Sequence, residues 1–264
     1  MKNIAFVLSL FIGFSAFSQD RKIEFRHLTW AETLEASKTE NKPIFIDCYT
    51  TWCGPCKWMS ANIFTDNSVA DYFNENYIAV KFDMEKGEGL DLANQFKIRA
   101  YPTLVHTNAK EEILFVSVGA DPDPKPYIAN AKQALDPENN LLYYQANKDE
   151  IMSNPKKMLG YFKMMSNANM VTQSDVDAYF KQFPVKEWTS DSNWEIITMT
   201  LMDGNNEIFK TIVENDNLFT DKHGVEAADF IANIYFYDLN KINSLPLNMT
   251  ENLNFSHHKF GNFF

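Results

Sequence analysis

Two cysteines separated by two residues are the part of this sequence best suited to chemistry. Cys53 and Cys56 enclose Gly54 and Pro55, which let the chain turn sharply into a helix. The first sulfur then lies at the helix N-terminus, where unpaired N–H groups and the helix dipole stabilise a thiolate. Such a pair forms either one disulfide or two thiols, so the spacing favours dithiol redox chemistry.

A CxxC pair is also half of a common type of zinc site. The remaining cysteine of the chain is Cys48, and His27 and His106 lie far from the pair in sequence. A zinc site needs further ligands of this kind, so no metal is expected. Cys48 is interpreted as a buried thiol that packs like a small apolar side chain, and a regulatory role is the less favoured alternative.

The residues around the pair predict the elements that hold it. The apolar run 44–50 is typical of a buried strand, and residues 54–62 continue from the pair as a helix. The other predicted elements nearby are helices at 29–39, 66–73, 90–96 and 127–135 and strands at 77–83, 102–106 and 112–118. Alternating helices and strands, closed by a hairpin, predict a central mixed sheet flanked by helices.

Several features in register with this pattern resemble the thioredoxin family. They are, in chain order, Asp47 six residues before Cys53, the run Trp52-Cys53-Gly54-Pro55-Cys56-Lys57, the strand lysine Lys81, the segment 98–104 with Pro102, and Gly119. The resemblance covers residues about 25–136 and implies an α/β thioredoxin fold. The insert 63–69 is similar to the thioredoxin-like domain of periplasmic disulfide-interchange electron carriers.

The resemblance implies a role for each catalytic residue. Cys53 attacks a substrate disulfide as a thiolate, and Cys56, one helical step behind and less exposed, resolves the mixed disulfide. Asp47 is expected to be buried and to accept the Cys56 proton, because burial raises the pKa of a carboxyl. The alternative for Asp47 is a structural polar group. Lys81 either pairs with Asp47 or is a solvated strand lysine.

The substrate-binding residues implied by the resemblance are Trp52, Gly54, Pro55, Tyr101 and Pro102, with Lys57 in a supporting role. An X-Pro bond adopts the cis form at low cost. A cis bond before Pro102 would leave the Tyr101 backbone free to pair with an extended peptide. Trp52 is predicted to be an exposed contact residue rather than a side chain that packs within its own loop.

The first eighteen residues have the pattern of a secretory signal. Lys2 precedes an apolar run, and small residues stand at the cleavage position Ala16-Phe17-Ser18. An uncleaved anchor is the alternative. The prediction is a periplasmic or secreted protein with no membrane span after signal removal. A net charge of −11 without a basic cluster makes nucleic acid a poor partner.

The composition changes near Asp136-Pro137-Glu138, and helical spacing dominates afterwards. The predicted domains are the signal 1–18, a thioredoxin-like domain 19–136 and an all-α domain of unknown role, 138–264. Its predicted helices are 155–166, 174–183, 192–203, 206–214 and 225–240. Its aromatic side chains, Phe236 among them, are expected to form a core, with an aromatic ligand groove as the alternative. His257-His258 is interpreted as part of a loose tail rather than a metal pair.

These features together predict an exported thiol-disulfide oxidoreductase that reduces disulfide-bearing proteins. It would need an electron donor that the sequence does not identify, and no cofactor beyond the redox-active Cys53-Cys56 disulfide. Gly54-Pro55 resembles thioredoxin, whose reduction potential is low, about −270 mV. Two alternatives stay open, a disulfide donor or isomerase, and a client-binding protein whose helical half is the main functional part.

Overall fold

The computed structural model describes residues 21–201 and 203–243, with side chains described as far as residue 236. The predicted signal 1–18 and the His257-His258 pair lie outside these residues. The described chain divides into two compact units, one running to Pro102 with Gly119–Ala129 added, the other made of Thr103–Val118 and the chain from Asn130 onward.

The first unit contains a parallel strand pair and four helices. Its elements are α1 (Trp30–Glu40), β1 (Ile44–Tyr49), α2 (Gly54–Asn62), α3 (Asn67–Asn76), β2 (Ile78–Asp83) and α4 (Glu88–Gln95). β1 and β2 pair in parallel, with Asp47 opposite Lys81 and Tyr49 opposite Asp83. Each element begins within a few residues of its predicted position, and α4 begins two residues earlier because Glu88 and Gly89 join it.

Side-chain caps explain where these helices start. Thr29 and Glu32 form a capping box at the start of α1, each satisfying a backbone N–H of the other. Asp66 accepts the backbone N–H groups of Ser68 and Val69 at the start of α3. Cys53 is the N-cap of α2, so the first cysteine of the pair also begins the helix.

The second unit contains a hairpin followed by helices. β3 (Thr103–Thr107) and β4 (Ile113–Val118) pair in antiparallel fashion, and α5 (Lys125–Leu135) is divided between the units. The four strands form one mixed sheet in the order β2-β1-β3-β4. The predicted fold class, a mixed sheet flanked by helices and followed by an all-helical region, is confirmed.

The helical region has nine helices among the described residues. They are α6 (Leu141–Ala146), α7 (Lys148–Ile151), α8 (Pro155–Asn167), α9 (Gln173–Phe180), α10 (Val185–Trp188), α11 (Asp191–Thr200), α12 (Glu207–Glu214), α13 (Asp216–His223) and α14 (Val225–Asn243). Five correspond to predicted helices. The unpredicted α6, α7, α10 and α13 have eight residues or fewer, and such short helices depend on tertiary packing more than on local periodicity.

Most of the aromatic side chains expected in the helical core are buried there. Phe162, Phe180 and Phe209 are almost fully buried, and Phe230 and Tyr235 pack partly buried against the same cluster. Phe236 is a correction, because 67% of its surface is exposed. It lies on a face of α14 that the helical period alone does not distinguish from the buried one.

The apolar core of the second unit extends from the hairpin into the helices. Leu114 and Phe115 of β4 and Ala134 of α5 belong to the same buried cluster as the side chains of the helical region. α6 and α8 pack against β4. The domain boundary predicted at 136–138 stays a prediction, and this cluster contains residues from both sides of that position.

Candidate redox site

Cys53 and Cys56 are joined by a disulfide with an S–S distance of 2.04 Å. The Cys53 sulfur accepts the backbone N–H of Cys56 at 3.1 Å, so it lies at the N-terminus of α2 as its spacing predicts. Both cysteines are buried, with 2% of the Cys53 surface and 3% of the Cys56 surface exposed. Position at the helix start, rather than the expected difference in exposure, therefore distinguishes them.

The residues between and after the cysteines lie on the surface. Gly54, Pro55 and Lys57 are exposed in the first turn of α2. A Cβ atom added to Gly54 would meet no other atom within 4 Å, so the space in front of this residue is open. A partner molecule can therefore approach the backbone of the turn that carries the disulfide.

Asp47 is fully buried on β1, and Lys81 faces it from β2. The Lys81 Nζ atom lies 3.4 Å from Asp47 Oδ2, and neither carboxylate oxygen has a hydrogen-bond partner among the described residues. Burial raises the pKa of Asp47 from its usual 3.8 to about 6, and the charge of Lys81 offsets only part of this effect. Of the two alternatives for Lys81, the structure shows the ion pair.

Two aromatic rings also hold the Lys81 ammonium group. Its Nζ atom lies 4.7 Å from the centre of the Tyr49 ring and 5.2 Å from that of Phe25. Cation–π contacts of this kind orient an ammonium group that is partly withdrawn from water. The sequence offered no signal for either ring, because Phe25 lies before α1 and Tyr49 at the end of β1.

Cys48 follows Asp47 and points to the opposite face of β1, since side chains alternate along a strand. It is a fully buried free thiol. Burial raises its pKa well above the usual value, and the negative charge of Asp47 raises it further. A thiol in this state is a poor nucleophile at neutral pH, which agrees with the packing role expected for it.

Trp52 and Tyr101 stand beside the disulfide turn as two aromatic side chains in contact. Trp52 is 65% exposed, and its ring meets the Tyr101 ring edge-on with the centres 5.9 Å apart. The Tyr101–Pro102 peptide is cis, and the Pro102 carbonyl accepts the backbone N–H of Gly119 at 2.9 Å. The structure therefore shows an exposed Trp52 side chain rather than one packed within its own loop.

Glu85 is a residue of this site that the sequence reasoning missed. Its carboxylate accepts the indole N–H of Trp52 at 2.9 Å, although the sequence indicated only a polar turn at 85–89. A usable signal exists, because an acidic residue follows β2 by two positions while β1 leads directly to the cysteine pair. The parallel pairing of these strands brings their carboxyl ends together.

The described part of the chain holds neither a cluster of metal ligands nor a membrane-spanning helix. No three His, Cys, Asp or Glu side chains come together there as a possible metal-binding group. None of the helices in the same residues is long and apolar enough to cross a membrane.

Comparison with known proteins gives relatives for the region that contains this site. A family model described as thioredoxin-like matches residues 26–109. Thioredoxin-1 of Drosophila yakuba is 33% identical over 82 residues, which make up 31% of this chain and 71% of that protein. The chain belongs to the thioredoxin family. Thioredoxin Y1 of Arabidopsis thaliana chloroplasts is 34% identical over 85 residues, which make up 32% of this chain and 46% of that protein.

The matches to curated thioredoxins cover only part of this chain and part of each relative. The chain spans about half the length of the first curated relatives it matches. A solved structure of a candidate disulphide-isomerase from Bacteroides thetaiotaomicron is 42% identical and covers 46% of this chain and 99% of that one, with a TM-score of 0.42. The family membership and the Cys53–Cys56 pair support thiol-disulfide oxidoreductase chemistry.

Proposed function

We propose that the protein is an exported oxidoreductase that reduces the disulfides of other proteins. The observation that carries this proposal is the Cys53–Cys56 disulfide at the start of α2, with the Cys53 sulfur accepting the Cys56 N–H at 3.1 Å. In the reduced protein the same N–H and the helix dipole stabilise a Cys53 thiolate. Cys53 is therefore the nucleophile and Cys56 the resolving cysteine.

The reaction moves two electrons from the dithiol to the substrate. The Cys53 thiolate attacks one sulfur of a substrate disulfide, a mixed disulfide forms, and the other substrate sulfur leaves as a thiolate. Cys56 then loses its proton and attacks the Cys53 sulfur. The Cys53–Cys56 disulfide forms, and the second substrate sulfur leaves as a thiolate. The substrate is thereby reduced and the protein oxidised.

Asp47 is proposed to accept the proton that Cys56 loses. A carboxyl with a pKa of about 6 changes protonation close to neutral pH, which suits a proton acceptor at a working redox site. Lys81, at 3.4 Å, holds a positive charge beside the carboxylate form. Asp47→Asn is expected to slow resolution of the mixed disulfide more than its formation, as measured by stopped-flow kinetics. Equal loss in both steps would remove Asp47 from the mechanism.

The substrate is proposed to lie across the exposed turn. The exposure of Trp52, the open space in front of Gly54, and the positions of Pro55, Tyr101 and Pro102 support a peptide-binding surface there. Lys57 adds an exposed positive charge to the same turn. An extended segment of a disulfide-bearing protein is the proposed ligand.

Export, the electron donor and the absence of any further cofactor complete the proposal. The sequence of the first eighteen residues supports a periplasmic or secreted location, where regeneration of the dithiol requires a separate reductant. Fractionation of cells that express the full chain tests the location. Recovery in the cytoplasm with residues 1–18 still attached would contradict it.

Reduction of a generic disulfide protein such as insulin tests the activity. The wild-type chain is expected to accelerate reduction by dithiothreitol, and Cys53→Ala should abolish the effect. Equilibration with glutathione should give a potential nearer about −270 mV than about −120 mV. A value above about −180 mV would support the disulfide-donor alternative instead. Trapping with Cys56→Ala separates substrates of the dithiol from clients that bind the helical half.

A further inference from the structure

The exposed Trp52 ring is held in place by a carboxylate. Its indole N–H donates to Glu85 Oε2 at 2.9 Å, and Tyr101 meets the ring edge-on. A tryptophan with 65% of its surface in water has few packing contacts to orient it. The hydrogen bond to Glu85 and the edge-on contact with Tyr101 therefore orient this ring beside the disulfide turn.

The loop that carries Glu85 is itself ordered by the strand pair. Tyr49 and Asp83 are register partners at the ends of β1 and β2, and Met84 donates its backbone N–H to the Tyr49 carbonyl at 2.8 Å. Asp83 Oδ1 then accepts the Glu85 N–H at 3.1 Å. Because β1 leads to Trp52 and β2 leads to Glu85, the same pairing positions both members of the hydrogen bond.

Glu85 brings negative charge to this surface that no neighbouring cation engages. Lys86, the adjacent cation, is paired with Asp83 at 3.0 Å, and Glu85 takes part in none of the ion pairs formed by the described residues. The pKa of the Tyr101 hydroxyl is raised, first by burial and then by the negative charge of Glu85. The carboxylate thus acts on both aromatic side chains of the proposed peptide surface.

We propose that Glu85 is a specificity-determining residue, which favours substrate disulfides flanked by lysine or arginine and disfavours those flanked by acidic residues. The inference rests on the proposed function, since it names the class of substrate for the same site. A peptide that crosses Trp52 and Tyr101 passes the Glu85 carboxylate. An exposed charge pair of this kind changes specificity about two- to fivefold and weakens as salt screens it.

The test uses the full chain and two disulfide peptides that differ only in the residues flanking the cysteine, lysine in one and glutamate in the other. The wild type is expected to show a kcat/KM two- to fivefold higher for the lysine peptide at low salt. Glu85→Gln removes the charge while its amide oxygen still accepts the Trp52 N–H, so the preference for the lysine peptide should be lost. Glu35→Gln, an exposed position on α1, is the matched control for net charge and should keep the wild-type ratio.

The outcomes separate the charge of Glu85 from its structural role. Glu85→Ala should also change the tryptophan fluorescence of the protein, whereas Glu85→Gln should leave it close to that of the wild type. An unchanged peptide ratio in Glu85→Gln, or a wild-type preference for the glutamate peptide, would overturn the inference and leave the reductase function intact. Failure of the wild type to reduce either peptide would instead refute the proposed function and the inference with it.

Discussion

The Asp47 carboxyl has an environment in which its charged form is poorly stabilised. It is fully buried on β1, and Lys81 contacts it at 3.4 Å without a hydrogen bond to either oxygen. Removing a carboxylate from water costs free energy that the ion pair with one ammonium group does not fully offset. The pKa of Asp47 is therefore raised to about 6, so the uncharged carboxyl predominates below that pH.

Replacement of Asp47 is expected to stabilise the protein at neutral and alkaline pH. The pKa of Asp47 in the folded state, about 6, lies above the usual 3.8. Between these values the folded protein binds more protons than the unfolded chain, so its stability falls as the pH rises through this range. A shift of this size corresponds to roughly 3 kcal/mol. Asp47→Asn should therefore raise the free energy of unfolding by about 2 kcal/mol at pH 8 and by less than about 1 kcal/mol at pH 4.

Urea denaturation of the oxidised protein at the two pH values measures this difference. Asp221→Asn, which changes an exposed aspartate of α13, is the control and should alter stability little at either pH. A stabilisation of Asp47→Asn that is the same at pH 4 and pH 8 would show that titration of this carboxyl is not its cause.

The three cysteines are expected to differ sharply in their reaction with iodoacetamide. After reduction, Cys53 should react first, because its sulfur accepts an N–H at the start of α2. Cys48 should react only after unfolding, since it is fully buried and its pKa is raised well above the usual value. Mass spectrometry of peptides after short alkylation, with and without denaturant, identifies the order. Early labelling of Cys48 in the native protein would contradict the burial found for β1.

At the scale of the element, helix starts depend on single side chains. The Ser68 hydroxyl donates to the Asp66 carboxylate, which also accepts the backbone N–H groups of Ser68 and Val69 at 2.9 and 3.1 Å. These interactions, with the hydroxyl making the largest contribution, lower the pKa of Asp66. Asp66→Ala should lower the free energy of unfolding by about 1 kcal/mol, because two N–H groups of α3 lose their acceptor. The stability that the ionised Asp66 provides is fully present above the usual pKa of an aspartate. It is lost as the pH falls through the lowered pKa that Asp66 has in the folded protein.

Thermal or urea unfolding at pH 7 tests the role of this cap. Asp66→Asn is the informative control, because an asparagine oxygen still accepts both N–H groups and should retain most of the stability. If Asp66→Ala and Asp66→Asn were equally destabilised, charge rather than the cap geometry would govern the start of α3.

At the scale of the whole molecule, the second unit has one apolar cluster that includes β4 and the helices after it. Leu114 and Phe115 of the strand share this cluster with fully buried side chains such as Phe162 of α8 and Phe209 of α12. A chain lacking residues 138–264 would leave β4 without the cover of α6 and α8. The helices of this region thus have a structural role in addition to any role in binding a partner.

Truncation of Phe162 should therefore loosen the hairpin as well as the helices. Phe162→Ala removes a fully buried ring and should lower the free energy of unfolding by about 3–5 kcal/mol. Hydrogen exchange of backbone amides in α8 and in β4 is expected to accelerate together, since both depend on the same cluster. Exchange followed by mass spectrometry resolves the two segments.

Phe73→Ala is the matched control in the first unit. Phe73 is a buried ring of α3 that stacks with Tyr77 and contacts Phe45 of β1. Its loss should accelerate exchange in α3 and β1 rather than in α8. Accelerated exchange in α8 without any change in β4 for Phe162→Ala would show that the helices form a separate module, as the sequence suggested.

Local chemistry explains why so much of the first unit was predictable. The turn at Gly54-Pro55, the capping box of Thr29 and Glu32 and the cap at Asp66 all act within a few residues of the helix they start. Strand β1 was equally clear, because a short apolar run bounded by Pro43 is a strong signal. The cysteine pair, its helix and its strand therefore follow from neighbouring residues.

Contacts between distant segments required the folded chain. The hydrogen bond between Trp52 and Glu85 joins residues 33 apart, and the ion pair of Asp47 with Lys81 depends on the register of two parallel strands. The apolar core that β4 shares with the later helices likewise depends on contacts between segments far apart in the chain. Side chains separated along the chain meet only when strand pairing and helix packing fold the backbone between them, and no pattern of neighbouring residues encodes which partner each will find.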